Sequence, residues 1–256
     1  MKKLFLLLML LFTLIGVAGA KEVIPVFKRV TRGVEFRKVL LDRPRPLTIY
    51  QLRCNPKLIN FKLLLASDGK RGKTATAQQM VEDFSLIAAV NSSYFDSKDR
   101  ILGEARRYND VLNSTVGEGG LYTAYFFWDG RRAGLKRRGE SLPSRVPVLF
   151  QCGPRLVWDS QIISGLEKKA LANRTTLALD AEERVIFSTI GGIDRVTLAE
   201  LPNLLLAPVT KGGVGAVRAI NLDGGKSTQL YLKAGSTTEH MPGFVEVPVF
   251  LGISGR

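Results

Sequence analysis

The chain has 256 residues, of which 45% are hydrophobic and 23% are charged. This composition is typical of a globular protein and excludes a disordered chain, a collagen-like repeat and a small disulfide-rich scaffold. Basic side chains outnumber acidic ones by 37 to 23, which gives a formal net charge of +14. Such an excess is compatible with an anionic partner, of which nucleic acid, a membrane surface and a phosphorylated glycan are the main classes.

The first twenty residues have the three-part order of a secretory signal peptide. A basic Met-Lys-Lys start is followed by an apolar run over residues 4–17 and by a small-residue cleavage site, Ala-Gly-Ala, at residues 18–20. We therefore predict a signal peptide over residues 1–20, a mature domain over residues 21–256 and a periplasmic or secreted location. The alternative is an uncleaved membrane anchor, although the apolar run is short against the ~20 residues that a spanning helix needs.

Basic residues cluster in two segments, 100–107 and 131–138. Each segment is interpreted either as a solvated surface hairpin or as a patch that steers an anionic substrate to the protein. On an exported protein, such a patch is also compatible with association at a membrane surface. The expected partner is an anionic phosphosugar or polysaccharide. Nucleic acid is disfavoured by export and because no aromatic residues are interleaved with the basic run.

Short apolar runs separated by turn residues predict strands, and two segments predict helices. The predicted strands are 47–52, 61–66, 86–90, 122–128, 155–158, 175–179, 185–189, 219–222 and 245–250. A helix is predicted over 76–84 from the spacing of its apolar residues, and another over 197–206 from a Thr-x-x-Glu capping box. Because strands outnumber helices and do not alternate with them, the sequence predicts an α+β fold with a mixed or antiparallel sheet, a few packed helices and a single domain.

The two cysteines, Cys54 and Cys152, have two interpretations. An oxidising compartment permits a disulfide between them, and two separately buried thiols are the alternative. The only histidine, His240, cannot build a histidine-rich metal site, and the spacings of zinc sites are absent. We expect no cofactor. Ca²⁺, bound through Asp223 and Asn221, stays open as the one metal alternative, although no oxygen-rich loop of known spacing is present.

Two predicted strands end abruptly in polar turn residues, at residues 91–96 and 221–228. The second turn contains Asp223, Gly224 and Gly225, so it presents a carboxylate and glycines that allow the main chain to approach a ligand closely. Consecutive amides in such a turn predict an anion-binding nest. The alternative is an ordinary hairpin turn, because Asp-Gly and Gly-Gly are common turn dipeptides.

Two further segments carry candidate recognition groups. Arg174 begins an otherwise apolar strand, where its guanidinium would offer a bidentate fork suited to phosphate. The alternative is a surface arginine at the end of a strand. The other segment is a Gly-Pro turn at Gly153 that leads through Arg155 into a predicted strand.

Taken in order, these four segments resemble the phosphodiester glycosidase family, which includes the lysosomal uncovering enzyme and bacterial exopolysaccharide-biosynthesis proteins. The family's Asn-Gly-Gly-aromatic-Phe turn is matched at 91–95, and its Gly-Pro-x-Leu-Val strand at 153–157. Its Arg-Thr-Ala strand is matched at 174–176, and its Asn-Leu-Asp-Gly-Gly-x-Ser turn at 221–227. The resemblance extends over about 86–253. Ser92 and Ser93 replace the paired glycines of the first turn, and Lys226 replaces a small residue in the last.

The resemblance implies hydrolysis of a sugar-1-phosphodiester, which requires charge neutralisation at phosphate and stabilisation of an oxocarbenium-like centre. The implied catalytic residues are Asp223 (nucleophile or base), Arg174 (phosphate) and Asn91 (orientation). The implied substrate-binding residues are Asn221, Gly224, Gly225, Lys226, Ser227, Thr228, Tyr94, Gly153 and Arg155. No motif assigns a second carboxylate, and Asp96 and Glu104 are candidates because they follow the first turn closely.

The alternative is that the protein is not an enzyme. It would then be a module that binds anionic glycans, or an accessory factor in exopolysaccharide biosynthesis. It would use the same turn and the same basic patch. The presence of both Arg174 and Asp223 favours the enzyme, because a carboxylate aimed at an anionic ligand would weaken simple binding.

Overall fold

A computed structural model describes residues 24–42, 45–108 and 110–256. The predicted signal peptide lies outside the described residues. The chain forms β1 (Lys28–Thr31), β2 (Val34–Leu41), β3 (Leu47–Cys54), β4 (Ile59–Leu65), α1 (Ala77–Phe84), β5 (Ala88–Asn91), β6 (Ala105–Arg107), β7 (Asp110–Asn113), β8 (Ala124–Trp128), β9 (Ala133–Arg137), β10 (Val148–Cys152), β11 (Arg155–Trp158), β12 (Gln161–Ile162), β13 (Arg174–Leu179), β14 (Val185–Ile190), α2 (Leu201–Leu206), β15 (Arg218–Asn221), β16 (Leu230–Ala234), β17 (Thr237–Met241) and β18 (Val249–Gly255). No helix among these residues is long and apolar enough to cross a bilayer.

The strands form three sheets in which every pairing is antiparallel. The eight-stranded sheet has the order β1-β2-β3-β14-β13-β15-β11-β12. The two five-stranded sheets have the orders β7-β6-β10-β8-β9 and β17-β16-β5-β18-β4. The strand-rich character is therefore confirmed, the sheets are antiparallel rather than mixed, and the single domain stays a prediction.

One apolar core joins the three sheets, and Phe61 lies at their junction. Phe61 belongs to β4, and its ring packs edge-on against Phe126 and Trp128 of β8, with centroids 5.8 and 5.9 Å away. It makes a third edge contact with Phe187 of β14 at 6.3 Å. Each sheet thus contributes an aromatic ring to this cluster. Cys54 and Cys152 are separate buried thiols within the same core.

The first predicted helix is confirmed. Thr76 caps α1 by accepting a 3.2 Å hydrogen bond from the Gln79 amide, while Gln79 Oε1 accepts the Thr76 amide at 2.7 Å. Met80 and Val81 pack α1 against the sheet that contains β5 and β16. The Ala77 amide at the start of α1 donates to Gln229 Oε1 at 2.6 Å, which ties the helix to the turn after β15.

The second helix begins later than predicted, at Leu201 rather than at Thr197. Glu200 Oε2 accepts bonds from both the amide (2.7 Å) and the hydroxyl (2.9 Å) of Thr197. The hydroxyl therefore donates to Glu200 instead of accepting a helix amide, and residues 198–200 form a turn. The helix itself starts with Pro202 in its first turn, where a missing amide costs nothing.

Nine strands match predicted runs, and their boundaries shift where other bonds intervene. The last one starts at Val249 rather than at 245, because the amides of Phe244 and Val245 both donate to the Lys226 carbonyl. The other nine strands are not predicted from the sequence: β1, β2, β6, β7, β9, β10, β12, β16 and β17.

We predict that replacement of Phe61 by alanine destabilises the protein by about 3–5 kcal/mol, because it removes a buried ring on which all three sheets pack. The measurement is the free energy of unfolding by chemical denaturation. Phe244→Ala is the matched control, since that ring is 62% exposed and its loss should change stability by about 0.5 kcal/mol or less. Equal losses in the two variants would contradict the central role of Phe61.

Candidate active site

The turns after β5 and β15 meet at the start of β13. The Asp223 amide donates to the Ser92 carbonyl at 2.9 Å, and the Leu222 amide to the Thr175 carbonyl at 2.9 Å. Asn221 stands opposite Thr176 in the β13–β15 ladder. The Asn221 amide also donates to the Pro154 carbonyl at 2.9 Å, so all four segments that the sequence singles out are in direct contact.

Asp223 is a partly buried carboxylate without a counter-ion. Its Oδ1 accepts the Gly224 amide at 2.9 Å, and the Ser227 side chain also donates to it. No ion pair of the residues described includes Asp223. Burial raises the pKa of Asp223 to about 6, although the bonds from Ser227 and Gly224 favour the ionised form. The group is therefore mostly ionised at neutral pH and is more basic than an exposed aspartate.

Tyr94 links Asn221 to the Gly-Pro turn. Its hydroxyl donates to the Gly153 carbonyl at 2.6 Å and accepts from Asn221 Nδ2 at 3.1 Å. Burial raises the pKa of Tyr94, and Asp223 raises it further while Arg174 lowers it. The phenol therefore stays protonated, and both charged groups lie within its electrostatic range. Gly153 is predicted to bind substrate, and its carbonyl accepts the hydrogen bond from the Tyr94 hydroxyl.

Asn91 is committed to the protein rather than to a ligand, which corrects its predicted orienting contact with substrate. Its Nδ2 donates to the Asp223 carbonyl at 2.7 Å. Its Oδ1 accepts from the Thr175 hydroxyl at 2.8 Å and from the Gln229 amide at 3.0 Å. With 1% of its surface exposed, Asn91 holds the Asp223 turn against two strands and is a positioning residue.

Arg174 lies next to the Asp223 turn, but its fork is partly used by the protein. Its Nε donates to the Val196 carbonyl at 3.2 Å and its Nη2 to the Ala170 carbonyl at 3.0 Å. Among the residues described, Nη1 donates to no acceptor. Burial lowers the pKa of Arg174, whereas Tyr94 and Glu167 raise it. Two of the three guanidinium nitrogens therefore already bond to the protein, the Nη1 end is what Arg174 offers to an anion, and its role as a phosphate fork stays a prediction.

The amides of the glycine turn do not form the predicted anion nest. The Gly224 amide donates a hydrogen bond to the Asp223 carboxylate, and the Gly225 amide donates one to the Asn173 carbonyl at 2.8 Å. The Ser227 and Thr228 amides close a 3-10 turn on the two glycine carbonyls at 3.2 and 3.3 Å. Gly225 has a φ of 61°, and a Cβ on Gly224 would lie 2.9 Å from the Asn173 carbonyl. Gly225 thus allows the positive φ of this turn, and Gly224 allows its close approach to the Asn173 carbonyl.

Four buried polar atoms at these two turns have no hydrogen-bond partner among the residues that the structure describes. They are the hydroxyls of Ser92, Ser93 and Thr228 and the Oδ1 of Asn221. An unsatisfied buried polar atom costs about 1–3 kcal/mol, so such atoms are few in folded proteins. Their concentration beside Asp223 is suited to a ligand with many hydroxyl groups.

Three other candidates lie outside this network. The Arg155 guanidinium lies over the Trp158 ring at 5.4 Å, and its contact with substrate stays a prediction. Asp96 is bound to Arg100, whose backbone and guanidinium hydrogen bonds lower the pKa of Asp96 to about 2. Glu104 contacts the Tyr125 hydroxyl. Both carboxylates therefore already have protein partners, and a second catalytic carboxylate stays unassigned.

Two functional neighbours are not predicted from the sequence. Tyr122 packs edge-on against Tyr94 at 5.7 Å, and burial raises the pKa of its phenol, with Cys152 and Asp223 adding to the shift. The Gln229 side chain accepts a hydrogen bond from the Ala77 amide and donates one to the Val245 carbonyl at 3.2 Å. It therefore stabilises the turn that contains Asp223. The only signal for Gln229 is a polar residue between the turn and an apolar strand. Within the described ranges, no group of three or more His, Cys, Asp or Glu side chains is arranged to hold a metal.

Comparisons with known proteins agree with this geometry. The sequence profile of the phosphodiester glycosidase family matches residues 84–254. A hypothetical protein from Synechocystis aligns with a TM-score of 0.69 at 14% identity, over 88% of this chain and 62% of its own. The chain thus spans 62% of the length of that protein.

Two further solved structures share the fold. The catalytic domain of zebrafish N-acetylglucosamine-1-phosphodiester alpha-N-acetylglucosaminidase, auto-inhibited by its pro-peptide, aligns with a TM-score of 0.62 at 15% identity, over 91% of this chain and 84% of its own. A protein from Burkholderia pseudomallei aligns with a TM-score of 0.53 at 13% identity, over 82% of this chain and 74% of its own. These identities establish a shared fold alone. A comparison with curated protein sequences found no match.

We predict that Asp223→Asn stabilises the protein at pH 7.5 by about 2–3 kcal/mol. The pKa of Asp223 is raised on folding, so its contribution to stability is fully present below the pKa of the unfolded chain and is lost as pH rises through about 6. The gain should therefore disappear below pH 4. Thermal unfolding at both pH values measures it, with the exposed Asp42→Asn as the control. Lower stability of Asp223→Asn at pH 7.5 would contradict this account.

Proposed function

The chain belongs to the phosphodiester glycosidase family, and from this we propose that it is an exported hydrolase of sugar-1-phosphodiesters in a cell-envelope or extracellular glycoconjugate. The observation that carries the proposal is Asp223, a carboxylate without a counter-ion and with a raised pKa, in the turn that matches the family's most specific motif. The unpartnered hydroxyls around it suit a sugar, and Arg174 suits the phosphate.

In the proposed reaction, the bond between the anomeric carbon and the phosphate oxygen breaks. The phosphate monoester leaves with the electron pair and is a weak base, so it requires no strong general acid. Water supplies the hydroxyl group to the anomeric carbon, and the Asp223 carboxylate accepts the proton of that water. Efficient general bases have pKa values near the working pH, which the value of about 6 satisfies.

Arg174 and Lys226 would neutralise the phosphate. The Nη1 end of Arg174 is free of protein acceptors among the described residues, and Lys226 is exposed on the same turn as Asp223. Developing negative charge on the leaving phosphate is stabilised most by cations that are already in place before reaction. Tyr94, protonated and held by Gly153, would exclude water from the inner side of the site.

A non-catalytic glycan-binding or accessory protein is the alternative, and Asp223 argues against it. A binder of anionic glycans would be weakened by an unpaired carboxylate beside its ligand, and burial of that charge would also reduce its stability. Export is part of the proposal because the first twenty residues resemble a signal peptide. The excess of basic residues suits an anionic substrate at the cell envelope. We also propose that the basic segments 100–107 and 131–138 can associate with a membrane surface.

We predict that kcat/KM on a sugar-1-phosphodiester rises with pH up to about 6 and then levels, because only ionised Asp223 accepts the proton of water. Asp223→Asn should lower kcat by about 10²–10⁴-fold. A single displacement by water inverts the anomeric configuration, so NMR of the first-formed sugar should show inversion. The assay is a panel of sugar-1-phosphodiesters with the purified mature protein. Undiminished hydrolysis by Asp223→Asn would refute the catalytic assignment, and retention of configuration would refute the role as base.

We also predict that Arg174→Lys loses about 2 kcal/mol or more in kcat/KM on phosphodiesters, roughly 30-fold, because the lysine keeps the charge but loses the oriented guanidinium. Neutral aryl glycosides of the same sugar should be affected far less. Arg45→Lys is the matched control, because Arg45 also donates through Nε and Nη2 to a backbone carbonyl, that of Arg195. Equal losses on charged and neutral substrates would mean that Arg174 supports the fold instead of the phosphate.

A further inference from the structure

A groove of about 460 Å³ lies beside the Asp223 turn. Its base includes Gly225 and Lys226, which directly follow the catalytic segment. Residues 171–173, immediately before Arg174, line one side, and Phe244 and Val245 line the other. The groove therefore shares residues with the turn that carries Asp223 and adjoins Arg174 through Asn173.

The groove has an unusually apolar lining for an exposed surface. Leu171, Phe244 and Val245 are 52%, 62% and 40% exposed, although each is a large hydrophobic residue. Single exposed apolar residues are common, whereas a group of them around one concavity indicates a binding surface. An apolar group that enters this groove would remove these side chains from water.

The charged groups of the groove are all positive. Lys226 and Arg195 line it together with the apolar side chains, and none of its lining residues is acidic. Neither cation belongs to an ion pair among the residues described. A ligand that joins an apolar group to an anion matches this combination, because the anion would pair with a cation that has no protein partner.

The groove is held in place by the backbone of the active site. The Phe244 and Val245 amides donate to the Lys226 carbonyl at 2.9 and 3.3 Å, and the Gly225 amide donates to the Asn173 carbonyl at 2.8 Å. Both sides are thus fixed to the turn that carries Asp223. Such preorganisation lowers the entropy cost of binding.

We propose that this groove binds the leaving half of the substrate and that this half is an apolar alcohol esterified to the phosphate. A glycosyl phosphodiester has a sugar on one side of the phosphate and an alcohol on the other. The unpartnered hydroxyls of Ser92, Ser93 and Thr228 suit the sugar, and Phe244, Val245 and Leu171 suit an alkyl or aryl chain. This inference rests on the proposed function and specifies its substrate class.

The test compares methyl and octyl phosphodiesters of the sugar that the panel selects, below the micelle concentration of the octyl ester. Burial of one methylene contributes roughly fourfold to affinity, so we expect kcat/KM at least tenfold higher for the octyl ester. Phe244→Ser should abolish this preference, so that kcat/KM of the octyl ester falls to that of the methyl ester in the same variant. Leu40→Ser, at a side chain 60% exposed on β2, is the control and should keep the preference.

A second measurement separates the groove from the chemistry. Calorimetry with octyl phosphate and methyl phosphate should show tighter binding of octyl phosphate, lost in Phe244→Ser and kept in Leu40→Ser. If neither ester is hydrolysed but this binding pattern holds, the proposed function fails and the groove assignment stands. Equal turnover of the two esters, a chain-length preference that survives Phe244→Ser, or octyl phosphate binding that does not depend on Phe244 would each overturn the inference. Loss of self-association in Phe244→Ser without any chain-length effect would also overturn it.

Discussion

The site depends on the side-chain amide of Asn91. This one group binds the Asp223 carbonyl, the Thr175 hydroxyl and the Gln229 amide, so it joins the eight-stranded sheet to a five-stranded one where their strands end. A buried amide can make these bonds in only one arrangement, and each lost bond would leave an unsatisfied polar group. Together with the backbone bonds of Asp223 to Ser92 and of Leu222 to Thr175, Asn91 therefore fixes the Asp223 turn relative to both sheets.

Around this fixed point, the protein keeps a carboxylate in surroundings that disfavour its charge. Asp223 receives two hydrogen bonds but no cation, so burial prevails and its pKa rises. The hydroxyls of Ser92 and Ser93 nearby have no protein partners. Both features reduce the stability of the protein by itself, and both are features that a bound substrate would use. Stability elsewhere, including the Phe61 cluster, compensates for them.

The sequence predicts the buried strands and the motif turns well, because apolar runs and Asp-Gly or Gly-Pro pairs are local signals. It does not predict β2, where Arg37 is buried and bonded to backbone carbonyls instead of lying on the surface. It places Arg174 next to the Asp223 turn, as the structure does, but it does not predict that the two glycine amides bond within the protein. Hydrogen-bond partners are set by segments distant in sequence, such as Asn173 for Gly225, and no local pattern reveals them.

The closed glycine turn has a consequence for the evolution of specificity. The Gly224, Gly225, Ser227 and Thr228 amides bond to Asp223, Asn173 and the turn's own carbonyls, and these bonds hold the loop in shape without a ligand. An anion would then be recognised by side chains such as Lys226. The backbone of the turn keeps its conformation without any contact from these side chains. A replacement at such a position can change which anion is accepted without refolding the loop, so specificity can diverge among relatives while the Asp223 turn stays in place.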